Sequence, residues 1–205
     1  MSAALAGARG ATMRRIYLAP FQGVDRMVLD VIERCVQQGL GTPTGRLGES
    51  ALPPGAFVAA RHQHDSATLL RLLVERAPAD ALKILGVTEE DLGTPVLSFV
   101  FGQAQLDGPA AVISLARLRQ EFQHLPPSLD LLLTRACKEA RHELGHTFGL
   151  VHCGDLACAM SLSTTVRDVD LKDVAFCPAC REQLDGAKRA AGEDVPDPAK
   201  PMEQR

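Results

Sequence analysis

Three closely spaced histidines have a pattern that suits one metal ion. His142 and His146 are four residues apart, so on a helix they lie one turn apart on the same face and can bind the same zinc ion. Gly149 can adopt the positive φ that ends a helix, which would let the chain turn back and bring His152 to that ion. Three imidazole ligands leave the fourth zinc position open to water, which is typical of a catalytic zinc site.

A glutamate follows the first of these histidines. Glu143 is about 100° further round the helix than His142, which places its carboxylate beside the metal rather than on it. A carboxylate in that position would act as general base toward a water molecule on the zinc. The alternative is a helix whose surface histidines have this spacing by chance.

Four of the six cysteines come directly after the histidines. Cys153 and Cys158 precede Met160, and a Cys-x-x-Cys pair, Cys177 and Cys180, follows it. These spacings suit a tetrahedral four-cysteine zinc site. Disulfides or a redox-active pair are the alternatives, although a redox Cys-x-x-Cys normally stands on a thioredoxin-like βαβ unit, which the sequence does not predict.

The histidine pattern with its glycine and third histidine, followed by Met160, is that of the metzincins. With the cysteines on both sides of the methionine, it resembles the archaemetzincin family of zinc metallopeptidases. Sixteen residues separate Met160 from Cys177, one fewer than in the family pattern, which we expect to alter only a connecting loop.

The resemblance implies two zinc ions per chain. The catalytic ion would be held by His142, His146 and His152, with Glu143 as general base and Met160 as a hydrophobic floor. The structural ion would be held by the four cysteines: Cys153, Cys158, Cys177 and Cys180. Some metzincins place a tyrosine after the methionine to stabilise the tetrahedral intermediate, but none follows Met160 here, so another donor, or none, must serve.

The resemblance also implies an α/β (α+β) fold of the metzincin type. It has a mixed twisted sheet, a backing helix, an active-site helix and a small C-terminal subdomain with the four-cysteine site. An antiparallel edge strand, which we place at 98–104, would form the upper rim of the cleft and accept an extended peptide by backbone hydrogen bonds. The alternative is an ordinary hairpin without substrate contact.

Length and composition limit the remaining possibilities. The 205 residues suit one domain. The net charge of −3 and the scarcity of aromatic residues disfavour nucleic-acid binding, and no apolar run predicts a membrane span. We expect a monomeric cytoplasmic protein without a secretory signal, acting on a peptide or protein. The expected division is a flexible leader (1–13), one catalytic domain (14–185, with upper and lower parts at 14–149 and 150–185) and a disordered tail (186–205).

Periodicity and capping residues predict the elements that position the site. Strands are expected at 14–20, 81–86, 95–104 and 109–116, and 41–60 reads as a loop with at most one short strand. Helices are expected after Asp25, from Asp65 or Ser66 to Pro78, from Ser128 to about residue 148, and at 180–188. Gly102 predicts a bulge or a close approach of the backbone.

The long helix should have one apolar face, packed on the core, and an opposite face that carries the histidines. Leu144 lies nearly opposite His142 and His146, at the end of a stripe spaced by three and four residues: Leu129, Leu132, Leu133, Ala136, Cys137, Ala140 and Leu144. Glu139, one turn before His142, could be a hydrogen-bond partner within the site, but solvent exposure is the favoured interpretation. We interpret Cys35 as a core residue, and His62 and His64 as solvent-exposed rather than as a further metal site.

Three functions remain open at this point. Zinc-dependent hydrolysis of peptide bonds is the main prediction, because a protein that only binds does not need Glu143. The rival is a catalytically silent module that holds two zinc ions and recognises a peptide. A hydrolase of non-peptide amides is the third, and the sequence does not distinguish endopeptidase from aminopeptidase action.

Overall fold

A central sheet of five strands carries the fold in the computed structural model, which describes residues 14–193 and 195. The strands are β1 (Arg15–Pro20), β2 (Thr44–Arg46), β3 (Phe57–Val58), β4 (Gln63–Asp65), β5 (Ala81–Thr88), β6 (Leu92–Gly93), β7 (Gly102–Ala104) and β8 (Ala110–Ser114). The helices are α1 (Arg26–Leu40), α2 (Ser66–Arg76), α3 (Leu129–Thr147), α4 (Val166–Leu171) and α5 (Pro178–Ala190). Short 3₁₀ turns lie at Pro54–Ala56, Ala59–Arg61, Ala116–Leu118 and Gln120–Gln123.

The main sheet has the order β2-β1-β5-β8-β7. Its first four strands run parallel, and β7 pairs antiparallel with β8 at one end. A small sheet of β3, β4 and β6 stands beside it. The mixed sheet with an antiparallel end strand confirms the predicted fold class.

Helices cover both faces of the main sheet. Alternate residues of a strand point to opposite faces, and in β1 Ile16 and Leu18 pack with α1 and α3 while Ala19 packs with α2. Burial on both faces explains why β5 and β8 are almost continuously apolar rather than alternating. The helix α3 is thereby fixed against the sheet along its apolar side, with Ala136, Ala140 and Leu144 fully buried.

Long cations fasten the C-terminal segment to the rest of the domain. Arg181 donates a hydrogen bond of 2.7 Å to the carbonyl of Gly39, and Lys188 donates to that of Leu40. These carbonyls belong to the last turn of α1, where unpaired acceptors and the helix dipole favour positive charge. The start of α5, which carries Cys180, is therefore held against α1.

Several predicted boundaries need correction. The strand expected at 95–104 is wrong over most of 95–101, because Thr94 Oγ1 accepts hydrogen bonds from the amides of Val96 and Leu97 and turns the chain there. Within this stretch Val100 forms a bridge with Leu92. The edge strand expected at 98–104 is thus limited to β7. The region 41–60 contains two short strands rather than at most one.

Two further expectations concern the ends of helices and of the chain. Residues 186–190, assigned to a disordered tail, form the end of α5, and Leu129, assigned to the buried stripe of α3, is exposed. The predicted leader at 1–13 and residues 194 and 196–205 of the predicted tail lie outside the described part of the chain.

Candidate metal centres

The last turns of α3 hold the first two histidines in one orientation. Their Nε2 atoms are 3.1 Å apart. The Nδ1 atom of His142 lies 2.8 Å from the carbonyl oxygen of Ala159, and that of His146 lies 2.7 Å from the carbonyl oxygen of Leu150. A carbonyl only accepts hydrogen bonds, so each Nδ1 carries the proton and each Nε2 keeps a free lone pair. Metal-binding histidines are commonly oriented in this way, by a hydrogen bond from the ring nitrogen that does not bind the metal.

The end of α3 brings the third histidine to the first two. Gly149 has a φ of +84°, and its amide and that of Leu150 bond back to the carbonyls of His146 and Gly145, which closes the helix. The chain then reverses, so that the rings of His142 and His152 are 5.3 Å apart between centroids. One nitrogen from each histidine lies within 4.8 Å of those of the others, a set of donors that fits a zinc ion.

Burial disfavours protonation of these imidazoles, which suits metal binding because a metal takes the neutral ring as its ligand. It lowers the pKa of His142 well below the usual value, with Lys172 contributing in the same direction. Burial also lowers the pKa values of His146 and His152.

Glu143 lies beneath the end strand of the sheet. Its side chain is 5% exposed, and burial raises its pKa well above the usual range, with Glu139 adding to the rise and Lys172 opposing it. A Cβ atom on Gly102 of β7 would stand 2.5 Å from Glu143 Cγ. The glycine is therefore required by a close approach of strand and carboxylate, one of the two roles expected for it.

A buried ion pair adjoins the histidines. Lys172, fully buried after α4, places its Nζ atom 2.8 Å from Glu139 Oε1, though not at the angle of a hydrogen bond. The same Nζ atom is 3.5 Å from His142 Nδ1. The prediction that Glu139 is solvent-exposed is wrong, because its side chain is only 3% exposed. Sequence reasoning missed Lys172, which lies in a polar stretch without periodicity.

Met160 packs beneath the same turn of α3. Its side chain is fully buried, and its sulfur fills the space that a Cβ atom on Gly145 would need. Its carbonyl oxygen accepts a 2.9 Å hydrogen bond from the amide of Cys153. Met160 thus contacts α3 between His142 and His146, and its backbone also holds Cys153, the residue that follows His152.

The four cysteines after the histidines form a second group. Their sulfur atoms all lie within 4.8 Å of one another, and all six cysteines of the chain are free. The shortest recorded approach between two of them, 3.8 Å from Cys153 to Cys177, is far longer than the roughly 2.05 Å of a disulfide. Backbone amides point at the sulfurs: those of Met160 and Cys177 lie 3.4 and 3.3 Å from Cys158 Sγ.

The electrostatics of this group favour a cation. Cys177 occupies the N-cap position of α5, without a capping hydrogen bond to its side chain, and Cys180 lies in the first turn. The helix dipole stabilises thiolates at this end of a helix. The backbone amide of Cys180 lowers the pKa of Cys177, whereas burial raises that of Cys180. Four thiolates so close together need a positive charge between them, and a zinc ion supplies it.

A cleft of about 710 Å³ opens above the histidines. Its floor is α3, its upper wall is residues 94–106 including β7, and its lower wall is residues 162–164. Apolar side chains at the rim are exposed, among them Leu97, Leu106, Val151 and Leu162. The space suits an extended chain lying along the end strand of the sheet.

The other candidate ligands lie elsewhere. His62 is exposed and His64 is half-buried, with the ring of Phe57 5.3 Å from that of His64. In the part of the chain that the structure describes, only the three histidines and the four cysteines form groups of three or more possible metal ligands. Within residues 14–193 and 195, no helix is both long and apolar enough to cross a membrane.

Comparison with known proteins finds one family. The model of peptidase family M54 matches residues 16–186. The archaemetzincin of Methanocaldococcus jannaschii is 41% identical over 170 residues, which cover 83% of this chain and 92% of that protein.

Solved structures are similar over nearly the same length. The crystal structure of archaemetzincin from Methanopyrus kandleri has a TM-score of 0.77 and 38% identity, covering 86% of this chain and 96% of that one. A zinc-dependent peptidase from Methanocorpusculum labreanum has a TM-score of 0.75 and 30% identity, covering 82% and 99%.

Proposed function

Because this chain belongs to peptidase family M54, the archaemetzincins, and is thus a zinc metallopeptidase, we propose how it hydrolyses peptide bonds. A zinc ion would be held by His142, His146 and His152, with Glu143 as the general base. The observation that carries the proposal is the convergence of three imidazoles at the floor of a cleft, with one buried carboxylate beside them.

The zinc ion, when bound, lowers the pKa of a coordinated water to about 7 and polarises the scissile carbonyl. Glu143 accepts the proton of the attacking water and later delivers it to the leaving amine. The contact of β7 with this carboxylate keeps it in one position, because a side chain under a strand has little freedom to turn away. The carbonyls of Ala159 and Leu150 hold the imidazoles through their Nδ1 protons.

An extended peptide is the substrate that this cleft fits best. β7 is the last strand of its sheet and lines the cleft beside Glu143, so a peptide can pair with it and present its backbone to the base. The apolar rim, formed in part by Leu97, Leu106 and Leu162, favours peptides with apolar side chains near the scissile bond.

A second, structural zinc ion completes the proposal. Cys153, Cys158, Cys177 and Cys180 would hold it, giving two zinc ions per chain. Because Cys153 follows His152 directly, this ion would fix the direction from which the third histidine approaches. All six cysteines are free, and reducing compartments keep thiols available to zinc, so we also infer a cytoplasmic location.

The test is cleavage of a diverse peptide mixture by the two-zinc protein, read by mass spectrometry. Glu143→Gln, which keeps the size of the side chain, should retain both zinc ions and lose activity by roughly 10²- to 10⁴-fold, as expected for a general base. Glu121→Gln, an exposed site away from the cleft, is the matched control and should cleave like the wild type.

Two outcomes would contradict parts of the proposal. Undiminished cleavage by Glu143→Gln would remove this residue from the role of base. A two-zinc wild type that binds peptides of the mixture but cuts none would favour the rival function, a peptide-binding module on the same fold.

A further inference from the structure

The two remaining cysteines meet on the side of α3 away from the histidines. Cys137 precedes His142 by five residues, which at about 100° per residue places it some 140° round the helix from that ligand. The thiol of Cys35 on α1 donates a 3.8 Å hydrogen bond to the carbonyl oxygen of Cys137. Both cysteines are buried, as predicted for Cys35, but neither belongs to the two apolar clusters on the faces of the sheet.

Both thiols line a cavity of their own. It measures about 370 Å³ and is formed by α1, α3 and Val174. No residue lines both this cavity and the cleft above the histidines. Cys35 and Cys137 are 8% and 9% exposed, so the space beside them admits a molecule as small as a peroxide.

The surroundings distinguish the two thiols. The neighbouring thiol of Cys137, as a hydrogen-bond donor, lowers the pKa of Cys35. Burial opposes this shift, and the guanidinium of Arg141 supports it. The same guanidinium donates bonds of 3.1 and 2.8 Å to the carbonyl of Cys35, which fixes the charge beside the sulfur. The pKa of Cys137 is raised in turn, first by its hydrogen bond to Cys35 and then by burial.

We propose that Cys35 and Cys137 form a redox-active modification site at which hydrogen peroxide converts the two thiols into a disulfide that links α1 to α3. Cys35 is the attacking thiol, because a fixed positive charge is the environment in which cysteines become reactive. Cys137 is the resolving thiol.

The reaction proceeds in two balanced steps. The Cys35 thiolate attacks one peroxide oxygen, the O–O bond breaks, and Cys35 becomes a sulfenic acid while the departing hydroxide takes up a proton as water. The sulfur of Cys137 then attacks the sulfur of Cys35, the S–S bond forms, and the S–O bond breaks with release of a second water. Two thiols lose two electrons and two protons, and one peroxide becomes two water molecules.

The test uses the full chain with its zinc bound, treated with graded hydrogen peroxide, alkylated and digested with trypsin. Cleavage after Arg34, Arg46, Arg135 and Lys138 isolates each thiol in a single-cysteine peptide, 35–46 and 136–138. A linked pair of these peptides should appear at peroxide concentrations that leave the zinc content unchanged, and a dithiol reductant should remove it. Absence of the linked pair under those conditions would overturn the proposal.

Two variants assign the roles of the thiols. In Cys137→Ser, oxidation of Cys35 should stop at the sulfenic acid, because the resolving thiol is missing. A cyclic 1,3-dione should then label Cys35. Cys35→Ser should lose the linked peptide completely and leave Cys137 unlabelled. Labelling of Cys137 in Cys35→Ser, without labelling of Cys35 in Cys137→Ser, would overturn the assignment of Cys35 as the attacking thiol. The peptides that carry the other four cysteines, 142–167 and 173–181, report damage to the zinc ligands in the same digest.

Discussion

The two groups of candidate metal ligands are neighbours in sequence but differ in access. The histidine group lies at the floor of a cleft, and its third member, His152, is exposed. The cysteine group includes two buried thiols, Cys158 and Cys180, and receives amide hydrogen bonds from its own loops. Catalytic zinc sites keep a position open, whereas structural sites are closed. The difference in access therefore supports the proposal that the histidine group serves hydrolysis and the cysteine group serves folding.

The cysteine group also positions the histidine group. Ala159, whose carbonyl holds His142, stands between Cys158 and Met160, and Cys153 is bonded through its amide to the Met160 carbonyl. Two of the three histidines thus depend on the segment that the cysteines enclose. We infer that loss of the second zinc would disturb the first site, but not the reverse.

Replacing one thiol should have the largest effect. Cys177→Ser should lower the zinc content by about one ion per chain and destabilise the segment around it, because structural zinc contributes roughly 10–16 kcal/mol of apparent binding energy to small folded sites. Elemental analysis and thermal unfolding measure the two effects.

The matched control for this change is Cys137→Ser under reducing conditions, which removes a thiol outside the cluster. It should keep two zinc ions. Full zinc content and unchanged melting in Cys177→Ser would show that the four cysteines do not form a metal site.

Breaking the ion pair between Glu139 on α3 and Lys172 at the end of α4 should have the second largest effect. Lys172→Met leaves the carboxylate of Glu139 buried without its partner, so the free energy of unfolding should fall by about 3–5 kcal/mol. Urea denaturation measures the loss. The double variant Lys172→Met, Glu139→Gln removes both charges and should recover part of the stability. If the single variant were as stable as the wild type, the buried carboxylate would not depend on this lysine.

The sequence predicted the elements whose pattern is local. The spacing of apolar residues along α3, with Leu144 opposite the histidines, is a property of one helix, and the buried strands β5 and β8 are recognisable as short apolar runs. Gly102 predicts a bulge or a close approach of the backbone, but the sequence does not indicate that the side chain beneath it is Glu143.

Features that depend on the cleft or on distant partners were not predictable. Residues 95–101 have the composition of a strand, but Val96 is 90% exposed and Leu97 lines the cleft, so the apolar character of these two residues reflects the rim. Phe101, at the other end of the stretch, is buried in the core. The sequence favours solvent exposure of Glu139, because nothing in it indicates the partner Lys172, which comes from a segment without periodicity. Only the fold brings that ammonium group to it.

Gly102, which lies above Glu143, allows the position of this carboxylate at the histidine site to be tested with the smallest change. In Gly102→Ala the new methyl group would lie 2.5 Å from Glu143 Cγ and 2.7 Å from its Oε1 atom, so the carboxylate or the strand must shift. A displacement of about 1 Å can reduce turnover roughly 10²-fold, and we expect a loss of that order in peptide cleavage with both zinc ions retained. Gly48→Ala, where the methyl group meets nothing within 4 Å, should cleave normally. Loss of zinc or of thermal stability in Gly102→Ala would instead mean that the substitution disturbs the ligands or the fold, and not the position of Glu143 alone.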